Sequence, residues 1–156
     1  MCGIAGVIHR DGATNVGMEM TAMLRSLKHR GPDSTGFAVY GVSTPDEYVM
    51  RLKLAEREDL DKDHHIKKKI RDRQAEVDVL LGELGAETLE VTEPTPYARR
   101  YRLRYPGDTK RLATDIEQIE GAEVLSFGSA LELIKDLGDA TDVSTQYGLG
   151  KFRGTH

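Results

Sequence analysis

Tyr97-Ala98-Arg99-Arg100-Tyr101-Arg102-Leu103-Arg104-Tyr105 sorts its side chains with a period of two. Tyr97, Arg99, Tyr101, Leu103 and Tyr105 fall on one face, and Ala98, Arg100, Arg102 and Arg104 on the other. Successive Cβ atoms of a pleated strand point to opposite sides, so nine residues of this alternation predict a strand. Upstream, residues 92–96 (Thr-Glu-Pro-Thr-Pro) read as a turn and residues 88–91 as a short strand. Before those, Ile66, Ile70, Val77, Leu80, Leu81 and Leu84 recur at spacings of three and four. That period predicts one long helix over 59–84, ended by Gly82 and Gly85. Residues 48–54 predict a further strand. Downstream, Pro106-Gly107 turns the chain and Asp108 or Thr109 can cap a helix lined by Leu112, Ile116 and Ile119. Gly121 closes it, and 122–127 give another strand. The order β-α-β-β-α-β is the split pattern of a ferredoxin-like unit. Residues 45–127 are therefore expected to form a small inserted α+β domain, flanked by 1–44 and 128–156.

In the flanks, residues 3–9 (Gly-Ile-Ala-Gly-Val-Ile-His) predict a buried strand, followed by a turn at Asp11-Gly12. Met20, Met23, Leu24 and Leu27 stand at i, i+3, i+4 and i+7, predicting a helix over about 16–29 with this face in the core. Met18 lies near it; methionine fills irregular gaps, so packing accounts for these side chains better than a binding surface does. Gly31-Pro32 should end the helix, because proline disfavours helical geometry in the residue before it. Residues 37–40 read as a second strand, 130–137 (Leu131, Ile134, Leu137) as a short helix, and 138–150 as a returning loop.

A chain of 156 residues with 38% hydrophobic and 31% charged residues fits one ordinary domain or two small ones. No run approaches the roughly 18 apolar residues of a membrane span, and no secretory signal is visible. A single cysteine excludes an internal disulfide and suits a reducing, cytoplasmic setting. The net charge of −4 argues against general nucleic-acid binding.

That cysteine is Cys2, in Met1-Cys2-Gly3-Ile4-Ala5-Gly6. Removal of Met1 would put a thiol and a free α-amine on one residue. With an amine pKa of about 7.7–8.0 and a thiol pKa of about 8.5, the amine can serve as the base for its own nucleophile. A small buried residue is the alternative. A second motif follows at Leu27-Lys28-His29-Arg30-Gly31-Pro32-Asp33-Ser34-Thr35-Gly36.

A Cys-Gly-Ile-x-Gly start followed by His-Arg-Gly-Pro-Asp-Ser-x-Gly resembles the class II glutamine amidotransferases. These are N-terminal-nucleophile (Ntn) hydrolases that release ammonia from glutamine for a synthase or transferase partner. The stand-alone subunit associated with glutamate-synthase-like proteins is most similar. The resemblance covers roughly the first 41 residues and about the last 30. It implies that Cys2 is the nucleophile, and that Arg30, Gly31, Asp33 and Ser34 belong to the loop shaping the substrate pocket. It implies glutamine as substrate, no metal or organic cofactor, and an α/β (α+β) fold made of a partial Ntn-hydrolase sandwich with the inserted unit. The family also carries a Gly-His-x-Arg segment for the substrate carboxylate, an Asn-Gly oxyanion pair, and an aspartate for the substrate amine. Neither the Gly-His-x-Arg segment nor the Asn-Gly pair follows Gly36, and no aspartate there stands in a matching motif. The expectation is an N-terminal portion of a longer subunit, or a chain whose partner supplies the rest.

Other sites compete. His64-His65, with Asp59, Asp61 and Asp63 before them, offers the i, i+4 spacing of metal ligands on a helix at Asp61 and His65. Lys62, Lys67, Lys68 and Lys69 favour a solvated charged face instead. The arginines and tyrosines of 97–105 could track RNA, but acidic residues lie close by, favouring a sheet with one packed and one solvated face. A non-catalytic regulatory or RNA-contacting subunit, acting through the insert, is the alternative function.

Overall fold

In a computed structural model, residues 3–12, 14–30 and 33–155 are described, Arg30 by its backbone alone. Cys2, Gly31 and Pro32 lie outside the described residues. In chain order the elements are α1 (Val16–Ser26), a 3-10 turn (Lys28–Arg30), β1 (Ser34–Tyr40), β2 (Glu47–Lys53), α2 (Asp59–Lys62), α3 (Ile66–Glu83), β3 (Glu87–Thr95), β4 (Ala98–Arg104), α4 (Thr109–Ile116), β5 (Glu123–Gly128), β6 (Leu131–Leu137), α5 (Ala140–Gln146) and a 3-10 turn (Leu149–Lys151). The fold is mixed α and β, with two antiparallel sheets among the described residues. The chain divides into two units, Met1–Val42 with Ala130–His156, and Ser43–Ser129.

In the unit Ser43–Ser129 the strand order is β3-β4-β2-β5, every neighbouring pair antiparallel. This is the order of a split βαββαβ unit. The alternation of 97–105 decides which face is covered. Tyr101 and Leu103 of β4 and Met50 and Leu52 of β2 are buried, together with Ile70, Val77 and Leu81 of α3 and Leu112 and Ile116 of α4. Tyr101 reaches through this core to α3, its hydroxyl donating to Asp78 Oδ1 at 2.7 Å. Burial, then the Asp78 carboxylate, push the phenol far above its ordinary pKa, so it stays a donor. Asp108 caps α4 by accepting from the Lys110 and Arg111 amides.

Two sequence expectations fail in this unit. The helix over 59–84 is broken, since Asp63 is extended between α2 and α3. Its carboxylate accepts from the His65 amide at 2.8 Å and pairs with Lys69 at 2.7 Å, a local bonding scheme that outcompetes a continuous helix. The segment 92–96 is not a turn: β3 runs on through Pro94 to Thr95, and the reversal falls at Pro96-Tyr97. Proline is tolerated because β3 is an edge strand with an irregular register there.

In the other unit, β1 pairs with β6 from Ser34↔Leu137 to Tyr40↔Leu131. The helix expected over 130–137 is thus a strand. Leu131, Ile134 and Leu137 have a helical spacing, but the buried residues are Glu132, Ile134 and Asp136, with period two. The pattern was hidden because two of the three inward side chains are carboxylic acids. Asp136 is satisfied there by the Tyr147 hydroxyl at 2.7 Å and the Leu137 amide at 2.8 Å. Tyr147 immediately follows α5, which occupies residues expected to be a loop.

Val16 and Met20 of α1 are buried, but Met18 and Met23 are exposed, so the inward face is narrower than the methionine spacing suggests. Gly17 lets this helix meet the chain near Leu149: a Cβ there would lie 2.0 Å from the Leu149 carbonyl oxygen. The segment 3–9 is not a strand. Gly3, Ala5 and Val7 are half-buried, whereas Ile4 and Ile8 are 93% and 72% exposed. The alternation of a strand is present, but among the described residues 3–8 make no ladder hydrogen bonds.

Candidate functional site

The described neighbours of the two sequence motifs meet in one groove. A depression of about 620 Å³ is lined by residues 3–8, by Met20 and Leu24 of α1, and by Gly36, Phe37, Ala38 and Tyr40 of β1. Gly3 follows Cys2 in the chain, and β1 begins at Ser34, within the second sequence motif. Its walls are apolar, so a group inside is partly shielded from water and its electrostatic interactions strengthen. Gly36 keeps one wall low: a Cβ there would meet only the Ile134 carbonyl oxygen, at an ordinary 3.5 Å. Gly36 is therefore not required by packing.

Lys28, Asp33 and Thr35 all bond to one turn, Gly138-Asp139 between β6 and α5. Lys28 Nζ lies 2.7 Å from Asp139 Oδ2. The Gly138 amide donates to the Asp33 carbonyl at 3.0 Å, and Thr35 Oγ1 donates to the Gly138 carbonyl at 2.9 Å. Asp139 Oδ1 meanwhile accepts from the Thr141 and Asp142 amides and caps α5. Lys28, then the Asp142 amide, hold the Asp139 carboxyl below the usual carboxylate range, and Asp139 raises Lys28 above the usual lysine value. Gly138 has φ +117°, a backbone state that favours glycine.

Of the sequence-predicted residues, Cys2 and Gly31 lie outside the described residues, as does the Arg30 side chain. Asp33 and Ser34 are exposed at the entry of β1. Lys28, Gly138 and Asp139 were not singled out from the sequence. The signal available was Asp139 three residues before Asp142, an N-cap pattern inside what read as a loop.

The competing sites are differently occupied. Arg102 pairs with Glu47 at 2.9 Å and Glu90 at 3.3 Å; Arg104 pairs with Glu47 at 3.2 Å and Glu87 at 3.3 Å. Arg99 is buried and bonds Gln74 at 2.7 Å. These guanidiniums are committed to carboxylates and core groups rather than presented to phosphates. The break at Asp63 takes Asp61 and His65 off a common helix, and no group of three His, Cys, Asp or Glu suited to a metal occurs among the described residues. No described helix is long and apolar enough to cross a membrane.

The fold and groove thus define a two-unit α/β chain whose N-terminal segment and motif-bearing strand line one apolar-walled depression. No family model matches it. Over its whole length the chain is 34% identical to a Methanothermobacter thermautotrophicus protein named "Putative glutamine amidotransferase", covering 50% of that protein. It is 24% identical, again over its whole length, to the "Glutamine amidotransferase-like protein GlxB" of Rhizobium meliloti, covering 48%. The chain spans about half the length of the curated relatives it matches.

Proposed function

We propose that this chain carries the nucleophile-bearing part of a class II, Ntn-type glutamine amidotransferase, acting on glutamine in the cytoplasm for an ammonia-accepting synthase or transferase. The observation that carries the reading is the similarity of the chain, over its whole length, to one protein named a putative glutamine amidotransferase and one named glutamine amidotransferase-like. The shared groove beside Gly3 and Gly36 supports it.

In the proposed reaction the Cys2 thiol gives its proton to the α-amine, and the thiolate attacks the carboxamide carbon of glutamine. The C–N bond breaks, and the protonated amine hands its proton to the leaving nitrogen, which departs as ammonia. Water, deprotonated by the same amine, then hydrolyses the thioester, giving glutamate and the free thiol. Arg30, Gly31, Asp33 and Ser34 shape the pocket for the substrate's polar groups. The unit Ser43–Ser129 is proposed as a domain inserted into the Ntn sandwich, with the rest of that sandwich belonging to a longer protein.

The test is ammonia release from glutamine by protein verified by mass to begin at Cys2. Release that disappears in Cys2→Ala is the expected result. Retained Met1 in active protein would sink the mechanism, and a well-folded, correctly trimmed protein without activity, alone or joined to the remainder of its longer form, would sink the function.

A further inference from the structure

We infer that the groove between α3 and α4 is a docking site for a basic amphipathic helix of a partner protein. The groove lies wholly within the unit Ser43–Ser129, so the inference draws nothing from the glutaminase reading. It encloses about 550 Å³. Its floor is apolar, made by Val79 and Leu80 of α3 and by Ile119 just after α4, and Val79 is 59% exposed. Its rim is acidic: Glu76 and Glu83 stand on the α3 side, Asp115 and Glu120 on the other. Among the described residues that line it there is no Lys, Arg or His. Elsewhere in this unit carboxylates are neutralised, Glu47 by Arg102 and Arg104, Asp72 by Lys68 and Asp63 by Lys69. Among the described residues the four rim carboxylates have neither an ion pair nor a side-chain hydrogen bond. Like charges gathered round exposed apolar surface repel one another, and a cationic partner would relieve that repulsion while covering Val79. Glu76, Val79, Leu80 and Glu83 stand at i, i+3, i+4 and i+7, one stripe about 11 Å long, the length of two helical turns. The backbone groups of α3 are spent inside its own helix, so an extended peptide would find no ladder of partners there. A helix satisfies its own backbone and can lay apolar side chains between α3 and α4, with lysine or arginine beside them reaching the rim. Past Glu76 and Glu120 the groove runs into a depression of about 380 Å³ that Lys69 and Arg73 also line. Both are engaged, Lys69 with Asp63 and Arg73 with the Leu54 carbonyl, so neither neutralises the rim.

The test uses the full chain and a fluorescein-labelled synthetic peptide of leucine and lysine, about four turns long, with leucines at i, i+3, i+4 and i+7. One counterpart carries glutamate in place of lysine, and another has the same leucines and lysines in an order without an apolar face. Fluorescence anisotropy should show saturable binding of the first peptide alone, weakened by salt. Glu76→Gln with Glu83→Gln should weaken it about tenfold, and Val79→Ser about fivefold or more. All three positions are exposed, so these variants should keep the melting temperature of the parent. Asp46→Asn with Asp61→Asn removes the same charge from exposed positions outside the groove and should change binding by less than about twofold. Absence of binding overturns the inference, as does equal binding of the glutamate peptide. Equal weakening by the two double variants also overturns it, since that would mark a general response to an acidic chain. Sedimentation supplies the last outcome: a dimer of the free chain that Val79→Ser dissolves would make a second copy the occupant and overturn the partner helix. None of these results bears on ammonia release from glutamine.

Discussion

Asp136 shows how a single side chain can hide a strand from its sequence. Buried in the β1–β6 unit, it is held by the Tyr147 hydroxyl and the Leu137 amide. Removing one donor leaves a buried acceptor short of a partner, and hydrogen bonds to charged groups are worth about 1.5–3 kcal/mol. Tyr147→Phe should therefore lower unfolding free energy by about 1–3 kcal/mol in urea titration; a change under about 0.5 kcal/mol would show that Asp136 does not depend on it. Two glycines make a paired prediction. Gly17→Ala drives a Cβ into the Leu149 backbone at 2.0 Å and should cost about 1–3 kcal/mol, outweighing any gain in helix propensity. Gly36→Ala meets nothing tighter than 3.5 Å, so it should fold with near-normal stability while raising the groove wall and, on the proposed glutaminase reading, slowing glutamine hydrolysis. Equal destabilisation by both substitutions would contradict the packing described. At this scale the sequence singles out Cys2 and the motif of 27–36 as candidates, because nucleophile chemistry is written in residue type. It concealed Glu132, Asp136, Lys28 and Asp139, whose roles depend on partners up to 111 residues away, as Lys28 and Asp139 are.

Elements were legible where side-chain periodicity agreed with local bonding. β4 and α4 follow their apolar spacings, and Asp108 caps α4 as its position suggests, whereas only Met20 of the expected α1 face is buried. Legibility failed where a carboxylate broke the rule: Asp63 interrupts the helix of 59–84, and Glu132 and Asp136 invert the polarity of β6. The Lys28–Asp139 pair carries its own pH dependence. Asp139's pKa is depressed by the fold, so its contribution is complete above the unfolded value near about 3.9 and is lost as pH falls through the lower folded value. Lys28 is raised, so its contribution is complete below about 10.4 and lost as pH rises through the higher folded value. The pair should accordingly persist from about pH 5 to pH 10 and be lost in acid. NMR titration of the Asp139 carboxyl carbon checks this: a midpoint at or above about 3.9 would be the wrong sign.

Across the whole molecule, β1 and β6 are neighbours in a ladder although 90 residues separate Tyr40 from Leu131. The Gly41 amide donates to the Ala130 carbonyl at 2.9 Å, so the chain leaves and rejoins that ladder at one point. Within the unit Ser43–Ser129 the ends also come together, since Val49 of β2 faces Gly128 of β5. Where one unit interrupts another in sequence and the chain leaves and rejoins at one point, neither part is much constrained, and such junctions tolerate domain insertion. The two parts are unequally built. Ser43–Ser129 has four paired strands with fully buried Met50, Leu52, Tyr101 and Leu103. The other unit has a two-stranded sheet, which is marginal on its own, and a groove open along β1. Expressed alone, residues 43–129 should unfold in one cooperative urea transition with about 4–13 kcal/mol of stability, the ordinary range for a domain of that length. In the intact chain, the slowest-exchanging amides should be those of β2 and β4, with β1 and β6 opening first. Tyr48, Tyr97, Tyr101 and Tyr105 all lie in this unit, so a fixed core should show near-ultraviolet dichroism. A fragment lacking that signal while binding a hydrophobic dye would be a molten globule, and residues 43–129 would then not be an independently folding unit.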